Sequence, residues 1–166
     1  FQPGVYGTKG EADPANVPGT RFSATSWIDS SGNFWLFGGY GRDSTVAGSG
    51  QLNDLWKFDG TSWTWVSGGD VCFQPGVYGT KGEADPANVP GARYSAPSWT
   101  DSNGNLWLFG GHGRDSVGNS GPLNDLWKFD GTSWTWISGS DVINQPGVYG
   151  TKGVSDQANV PGARAQ

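Results

Sequence analysis

The feature that most restricts what this chain can become is that one passage occurs three times. Residues 1–19 read FQPGVYGTKGEADPANVPG, residues 73–91 repeat them letter for letter, and a third copy, QPGVYGTKGVSDQANVPG, begins at Gln145. Gln2, Gln74 and Gln145 mark a period of about 72 residues, and such a period is the signature of a repeat architecture. Each repeat divides into a Gly/Pro-rich connector without helical or strand period and an aromatic module punctuated by turn signals. The division is residues 1–20 connector, 21–72 first module, 73–92 connector, 93–143 second module, and 144–166 connector and start of a next repeat. A chain that begins at Phe1 and contains no Met is expected to be a processed or excised piece, or the ordered part of something longer.

The connectors, with 29 Gly and 10 Pro in the chain, would suit disorder, but 14% of the residues are Phe, Trp or Tyr. Rings remove about 150–250 Å² each from water, so the modules can bury a core and an all-β, turn-rich fold is expected. Four short strands fit each module. The first covers 21–28 and 93–100, and the turns Asp29–Asn33 and Asp101–Asn105 follow, supplying Gly for positive φ and Asx side chains for local backbone bonds. The second covers 34–37 and 106–109, and the third 54–58 and 125–129. Asp59-Gly60 and Asp130-Gly131 then form hairpins into the fourth, 62–66 and 133–137. In Phe34-Trp35-Leu36-Phe37 both alternating faces are apolar. A strand with one wet face should alternate with polar residues, so this strand is expected to be covered above and below. Four-stranded antiparallel sheets stacked face to face are the packing of propeller blades; no stretch repeats at 3.6 residues for three turns.

These residues resemble the kelch repeat. The double glycine that closes the second strand in that family stands here as Gly38-Gly39 and Gly110-Gly111. The Asn-Asp that leads the third strand stands in Leu52-Asn53-Asp54-Leu55-Trp56 and Leu123-Asn124-Asp125-Leu126-Trp127. The spaced aromatic and Trp stand as Phe58 and Trp65, and Phe129 and Trp136, with Arg21 and Arg93 opening the first strand. The resemblance covers the two aromatic modules and implies a kelch-type β-propeller. The repeat exceeds the roughly 50 residues usual for kelch by about its connector, so it looks like the long-spaced kelch-like repeats of bacterial surface proteins. It also resembles the galactose oxidase propeller, whose copper lies between two His and two Tyr. Copper favours imidazole and soft donors; with His112 as the one His, and Tyr40 in its place in the other repeat, that likeness implies fold without the copper site.

Composition narrows the function. A net charge of −5, with ten scattered basic residues, disfavours nucleic acid and anionic membrane surfaces, and no apolar run approaches the roughly 20 residues of a membrane span. The acids recur once per repeat, mostly beside turn residues, which points to turn stabilisation rather than catalysis. No catalytic residue and no cofactor are therefore assigned. Asp29, Asp101, Asp43 and Asp115 cluster oxygen donors suited to calcium as the alternative. His112 reads as a loop imidazole, and Cys72, with Ile143 as its counterpart, as an inert half-buried thiol. Among the Trp residues, Trp63 and Trp134, on the strand face opposite Trp65 and Trp136, are the candidate ligand platforms, with Trp27 and Trp99 next. Arg42 and Arg114, in long loops of variable length, are the candidate charged contacts, or else pair with the Asp that follows. Two modules cannot close a ring of the usual 4–8 blades, and their outer faces would expose apolar surface. The expectation is an extracellular or cell-surface structural or binding module that associates with further copies of itself, as a tandem array, oligomer or filament. The alternatives are a carbohydrate-binding propeller module and a non-catalytic fragment of a larger enzyme. The connector is expected to run over neighbouring modules and lock repeat to repeat.

Overall fold

The computed structural model describes residues 2–45 and 48–165. Phe1 of the first connector, Val46 and Ala47 of the first long loop, and Gln166 of the last connector lie outside the described residues. The described residues form antiparallel sheets and contain no helix, so none is long and apolar enough to cross a membrane.

In chain order, the first repeat supplies β1 (Ala12–Asp13), β2 (Arg21–Phe22), β3 (Thr25–Ile28), β4 (Phe34–Phe37), β5 (Tyr40–Arg42), β6 (Ser49–Gln51), β7 (Leu55–Phe58) and β8 (Trp63–Ser67). The second supplies β9 (Ala84–Asp85), β10 (Arg93–Tyr94), β11 (Ser98–Thr100), β12 (Leu106–Arg114), β13 (Ser120–Phe129) and β14 (Trp134–Ser138). The first module is a meander, β3-β4-β7-β8, with β1 added outside β8, and a separate small sheet β2-β5-β6. In the second module β12 runs through its double glycine and β13 through Leu123–Asp125, so the same parts merge into one six-stranded sheet.

Local chemistry explains the turns. Asp59 Oδ1 accepts the amides of Thr61 (2.8 Å) and Ser62 (2.9 Å) while Gly60 takes a φ of 97°, a conformation glycine adopts without a Cβ penalty. At Asp29 the carboxylate accepts the Ser31 and Asn33 amides, and Asp101 does the same for Asn103 and Asn105.

Three strand expectations need correction. The first strand is not continuous over 21–28 or 93–100: it breaks at Ser23 (φ 52°) and Ser95 (φ 54°), where the Ser95 amide donates to the Ser23 carbonyl at 3.0 Å and links the modules. The third strand starts at Leu55 in the first module and as early as Ser120 in the second. The connectors also contribute strands, since Ala12 and Asp13 pair with Thr64 and Trp63, and Ala84 and Asp85 with Thr135 and Trp134. The main sheet of each module therefore has a further edge strand beyond the four expected.

The two modules pack face to face. Trp35 meets Phe129 and Phe37 meets Trp134, each pair edge-on at 5.5 Å, with Leu55, Leu106 and Leu108 filling between them. At the inner edge Thr25 Oγ1 donates to the Ala96 carbonyl (3.0 Å) and Trp27 Nε1 to the Trp107 carbonyl (3.1 Å). The expectation that strands 34–37 and 106–109 are covered above and below is not met, although each lies between neighbours within its sheet. Each is fully covered on one face only. Trp35 and Phe37 are buried with Phe34 and Leu36 half-buried, whereas Leu106 and Leu108 are buried with Trp107 and Phe109 half-buried. Each module has one neighbour, and the neighbour lies on opposite sides of the two.

Candidate functional site

A buried polar node fixes each of the first two connectors to the module that follows it. Asp54 is fully buried and accepts Arg21 Nη1 (2.6 Å) and Nη2 (2.8 Å), Tyr6 Oη (2.6 Å) and Trp56 Nε1 (2.7 Å). Asp125 repeats the set with Arg93 (both at 2.7 Å), Tyr78 (2.7 Å) and Trp127 (2.7 Å). Each Arg also donates to the carbonyl of the first glycine of the pair, Gly38 or Gly110. A buried charge pair is tolerable only when its remaining donors and acceptors are satisfied, and here they are. Burial, and then the adjacent carboxylate, pushes both tyrosines well above the ordinary phenol range, so they remain donors. Burial alone would lower the two arginines, but Asp54 and Asp125 outweigh it and hold them above the usual value.

The Asn and the double glycine bind the next connector. Asn53 Nδ2 donates to the Pro90 carbonyl (3.3 Å) and Asn124 Nδ2 to that of Pro161 (3.2 Å). Gly39 N donates to the Arg93 carbonyl at 2.8 Å, and Gly111 N to that of Arg164 at 3.0 Å. A Cβ on Gly38 would lie 2.7 Å from the Arg93 carbonyl oxygen, and Gly38 has a φ of 61°, so space and backbone both demand glycine there. Residues 73–93 thus clasp two modules at once. This supports the expectation that the connector locks repeat to repeat, and it adds that the connector's Tyr enters the module after it. The node was missed in the sequence because Arg21 and Asp54, far apart in the chain, resemble any surface charges; their joint recurrence as Arg93 and Asp125, together with Tyr6 and Tyr78, was the available signal. Asp54 and Asp125, expected at the head of the third strand, are core acids that hold an ion pair rather than turn stabilisers.

The other candidate residues fall elsewhere. Asp29 accepts Asn33 Nδ2 and Trp35 Nε1, both at 2.8 Å, and Asp101 accepts Asn105 Nδ2 (2.8 Å) and Trp107 Nε1 (2.9 Å). Hydrogen bonds from Asn105, then Trp107, bring Asp101 down to about 2; at Asp29 burial pushes up, but the bonds from Trp35 and Asn33 outweigh it. Asp43 accepts the Thr45 and Cys72 amides, and Asp115 those of Val117 and Asn119. These four carboxylates are already surrounded by N–H donors, whereas calcium requires converging oxygens, and among the described residues no group of three or more His, Cys, Asp or Glu could hold a metal. Arg114 does not pair with Asp115: it donates to Gln51 Oε1 (3.0 Å) and the Gly118 carbonyl (2.8 Å) and lies 4.8 Å from the Phe73 ring centre. Arg42 is half-buried on β5. His112 stacks on Tyr94 at 5.3 Å and lies 3.2 Å from Gln51 Nε2. Cys72 is half-buried, its thiol pushed up to about 12 by burial and then by Asp43.

The Trp platforms are corrected in part. Trp134 is 1% exposed, sealed under Phe37 of the first module, so it offers no ring to a ligand. Trp63, its counterpart, is half-buried on the outward face of the first module. Trp99 is 46% exposed and stacked on Trp107 at 5.7 Å with 6° between planes, whereas its counterpart Trp27 is buried. A cavity of about 390 Å³ lies on that outward face of the second module, lined by Pro97, Trp99, Phe109, Leu126, Asn159 and Pro161. Its lining in the first repeat would be Thr25, Trp27, Phe37, Leu55, Asn88 and Pro90, and there Trp134 packs on Phe37 while Asn88 Nδ2 donates to the Trp134 carbonyl.

No protein-family model matches the chain. Over 66 residues, 37% of this chain, it is 44% identical to the dynein alpha chain of the flagellar outer arm of Chlamydomonas reinhardtii. The chain spans 1% of the length of that dynein chain. The matched stretch is shorter than one repeat of about 72 residues, so the likeness concerns repeat-sized sequence and not the dynein as a whole.

Proposed function

We propose that this chain is a non-catalytic segment of kelch-type β-propeller whose work is to stack on further copies of itself, in a secreted or cell-surface protein. One observation carries the reading. The face left open on the first module (Phe34, Leu36, Phe58, Trp63) is the repeat counterpart of the face buried on the second (Leu106, Leu108, Phe129, Trp134). The face left open on the second (Trp99, Trp107, Phe109, Leu126) is likewise the counterpart of the face buried on the first. The two open faces therefore have the chemistry of a pair that already mates inside the molecule. Such a head-to-tail contact closes into a ring or runs on as a filament. Contiguous apolar surface of this kind marks an interaction site on soluble proteins. The double glycine, the Asn-Asp and the spaced aromatic residues all have structural work in this arrangement, which supports the kelch likeness. The repeated acids are occupied as caps or ion-pair partners, which supports a non-catalytic role. The extracellular setting rests on the resemblance to surface-protein repeats and on the acidic, Lys-poor composition.

The test is sedimentation equilibrium over a concentration series, with Leu36→Asp and Phe109→Asp variants checked for fold by circular dichroism. The parent should gain mass with concentration, each variant should be monomeric, and an equimolar mixture should recover a dimer through the one intact face of each. A parent monomeric throughout, or a mixture that stays monomeric while the parent associates, would refute it. A carbohydrate-binding reading finds support in the exposed Trp99–Trp107 stack. Glycan-array binding lost on Trp99→Ala, in a chain that does not associate, would favour it.

A further inference from the structure

The last connector has the form of the other two, and among the described residues no Trp packs inside it. In the first connector Tyr6 packs edge-on against Trp65 at 5.1 Å, and Lys9 Nζ lies 4.3 Å from the Trp65 ring centre while donating to the Gly68 carbonyl at 2.7 Å. In the second, Tyr78 and Lys81 hold Trp136 at 5.0 and 4.1 Å, and Lys81 donates to the Gly139 carbonyl at 2.8 Å. Each loop is closed by a bridge between valines, Val5 with Val17 and Val77 with Val89, and the third closes in the same way, Val148 with Val160. Asn16 and Asn88 each use Nδ2 twice, toward the loop (Glu11 or Glu83) and toward the Trp63 or Trp134 carbonyl. Asn159 makes the loop bond, to Val154 at 3.3 Å, and its Oδ1 accepts the Gly150 amide at 2.7 Å. Arg164 likewise keeps the carbonyl bond of its counterparts, to Gly162 at 3.1 Å, and among the described residues it meets no carboxylate. The loop borders an open cavity of about 490 Å³ lined by Val148, Tyr149, Lys152, Val154 and Asn159, and Tyr149 is 77% exposed where Tyr6 and Tyr78 are each 6%. The aromatic and the ammonium thus line a cavity that no Trp of the described residues fills, and the guanidinium keeps the local carbonyl bond of its counterparts.

We propose that residues 145–165 are a receptor for the Trp63-Thr64-Trp65 strand of a second copy of this chain, and that they take the place of that copy's own residues 2–20. The inference rests on the stacking reading above and specifies its chemistry. Adjacent residues of one strand meet adjacent vacancies: Trp63 fits the cavity on the outward face of the second module, as Trp134 fits its counterpart, and Trp65 fits the connector loop, as Trp136 does. Both seats fill together if the incoming first module sits on the second module as the second sits on the first. In that pose the incoming copy's first connector claims the space of the last one, so association is an exchange of connectors rather than a simple addition. Tyr149 would then donate to the incoming Asp54, Arg164 would pair with it, and Lys152 would lie over Trp65. Because the released and the gained contacts are of the same types, the exchange itself is nearly balanced and the faces supply the drive.

Sedimentation velocity on the full chain tests this. Tyr149→Ala and Arg164→Ala alter exposed side chains and should weaken association by about tenfold each. Lys9→Ala loosens the resident connector through an exposed side chain and should strengthen association severalfold, the reverse of what a merely weakened fold would do. If Tyr149→Ala and Arg164→Ala associate like the parent while Leu36→Asp does not associate, stacking stands and connector exchange is wrong. If Lys9→Ala weakens association, exchange is wrong. If the parent and Lys9→Ala both remain monomeric, both readings fall.

Discussion

The two modules carry nearly the same residues and bury opposite halves of them. Trp27, Trp35 and Phe37 are buried in the first, while Trp99 is exposed and Trp107 and Phe109 are half-buried in the second; Trp63 and Phe58 are half-buried where Trp134 and Phe129 are buried. Residue type cannot produce that inversion, since the side chains are the same. What differs is the side on which a neighbour stands. Burial in this molecule is therefore a property of the contact between repeats, whereas the node around Asp54 and Asp125, enclosed within each repeat together with its connector, has nearly the same geometry in both.

That contrast can be broken experimentally, beginning where the effect is greatest. Asp125→Ala would leave the Arg93 guanidinium, fully inaccessible in its side chain, without a counter-charge, and it should cost about 3–5 kcal/mol in urea unfolding; a loss under about 1 kcal/mol would mean that water reaches the pair. Trp134→Ala removes a core ring and should cost about 3–5 kcal/mol, whereas Trp63→Ala in the monomer should cost about half of that. Equal losses would contradict the inversion. Gly38→Ala forces a Cβ toward the Arg93 carbonyl in a left-handed backbone and should cost about 1–3 kcal/mol, read as a lower denaturant midpoint. The smallest effect concerns acid. Asp101 titrates near 2 when folded and higher when unfolded, so the unfolded chain binds more protons as pH falls. The contribution of Asp101 is full above the ordinary carboxylate range and is lost as pH falls toward about 2. Asp101→Asn should flatten that part of a thermal-unfolding profile against pH, and an unchanged slope would count against the cap.

Much of this fold is written locally. The Asp-Gly hairpins, the Asp29 and Asp101 turns and strands 34–37 and 63–67 follow from turn chemistry and apolar runs within a few residues, and they lie within a residue or so of where they were expected. The ion pairs of Asp54 and Asp125 were not legible because an acid at the head of a strand shows no partner until its Arg, far away in the chain, is brought to it. Trp134 was misjudged for a different reason. Period-two alternation separates Trp134 from Trp136 correctly, but it carries no information about which face a second module will cover. The strands in the connectors were invisible because Ala12-Asp13 has no strand propensity of its own and pairs only where the edge of β8 is offered.

The way residues 73–93 hold their neighbours bears on how the chain carries load. Their last residue is stitched to Leu52 and Gly39 behind, and their Tyr78 and Lys81 are anchored ahead in the second module. Traction on the two ends would not pass through a slack tether. It would have to shear one sheet across the aromatic face of the other while withdrawing a phenol from a buried carboxylate, so mechanical resistance would reside at the seams between repeats more than in any single repeat.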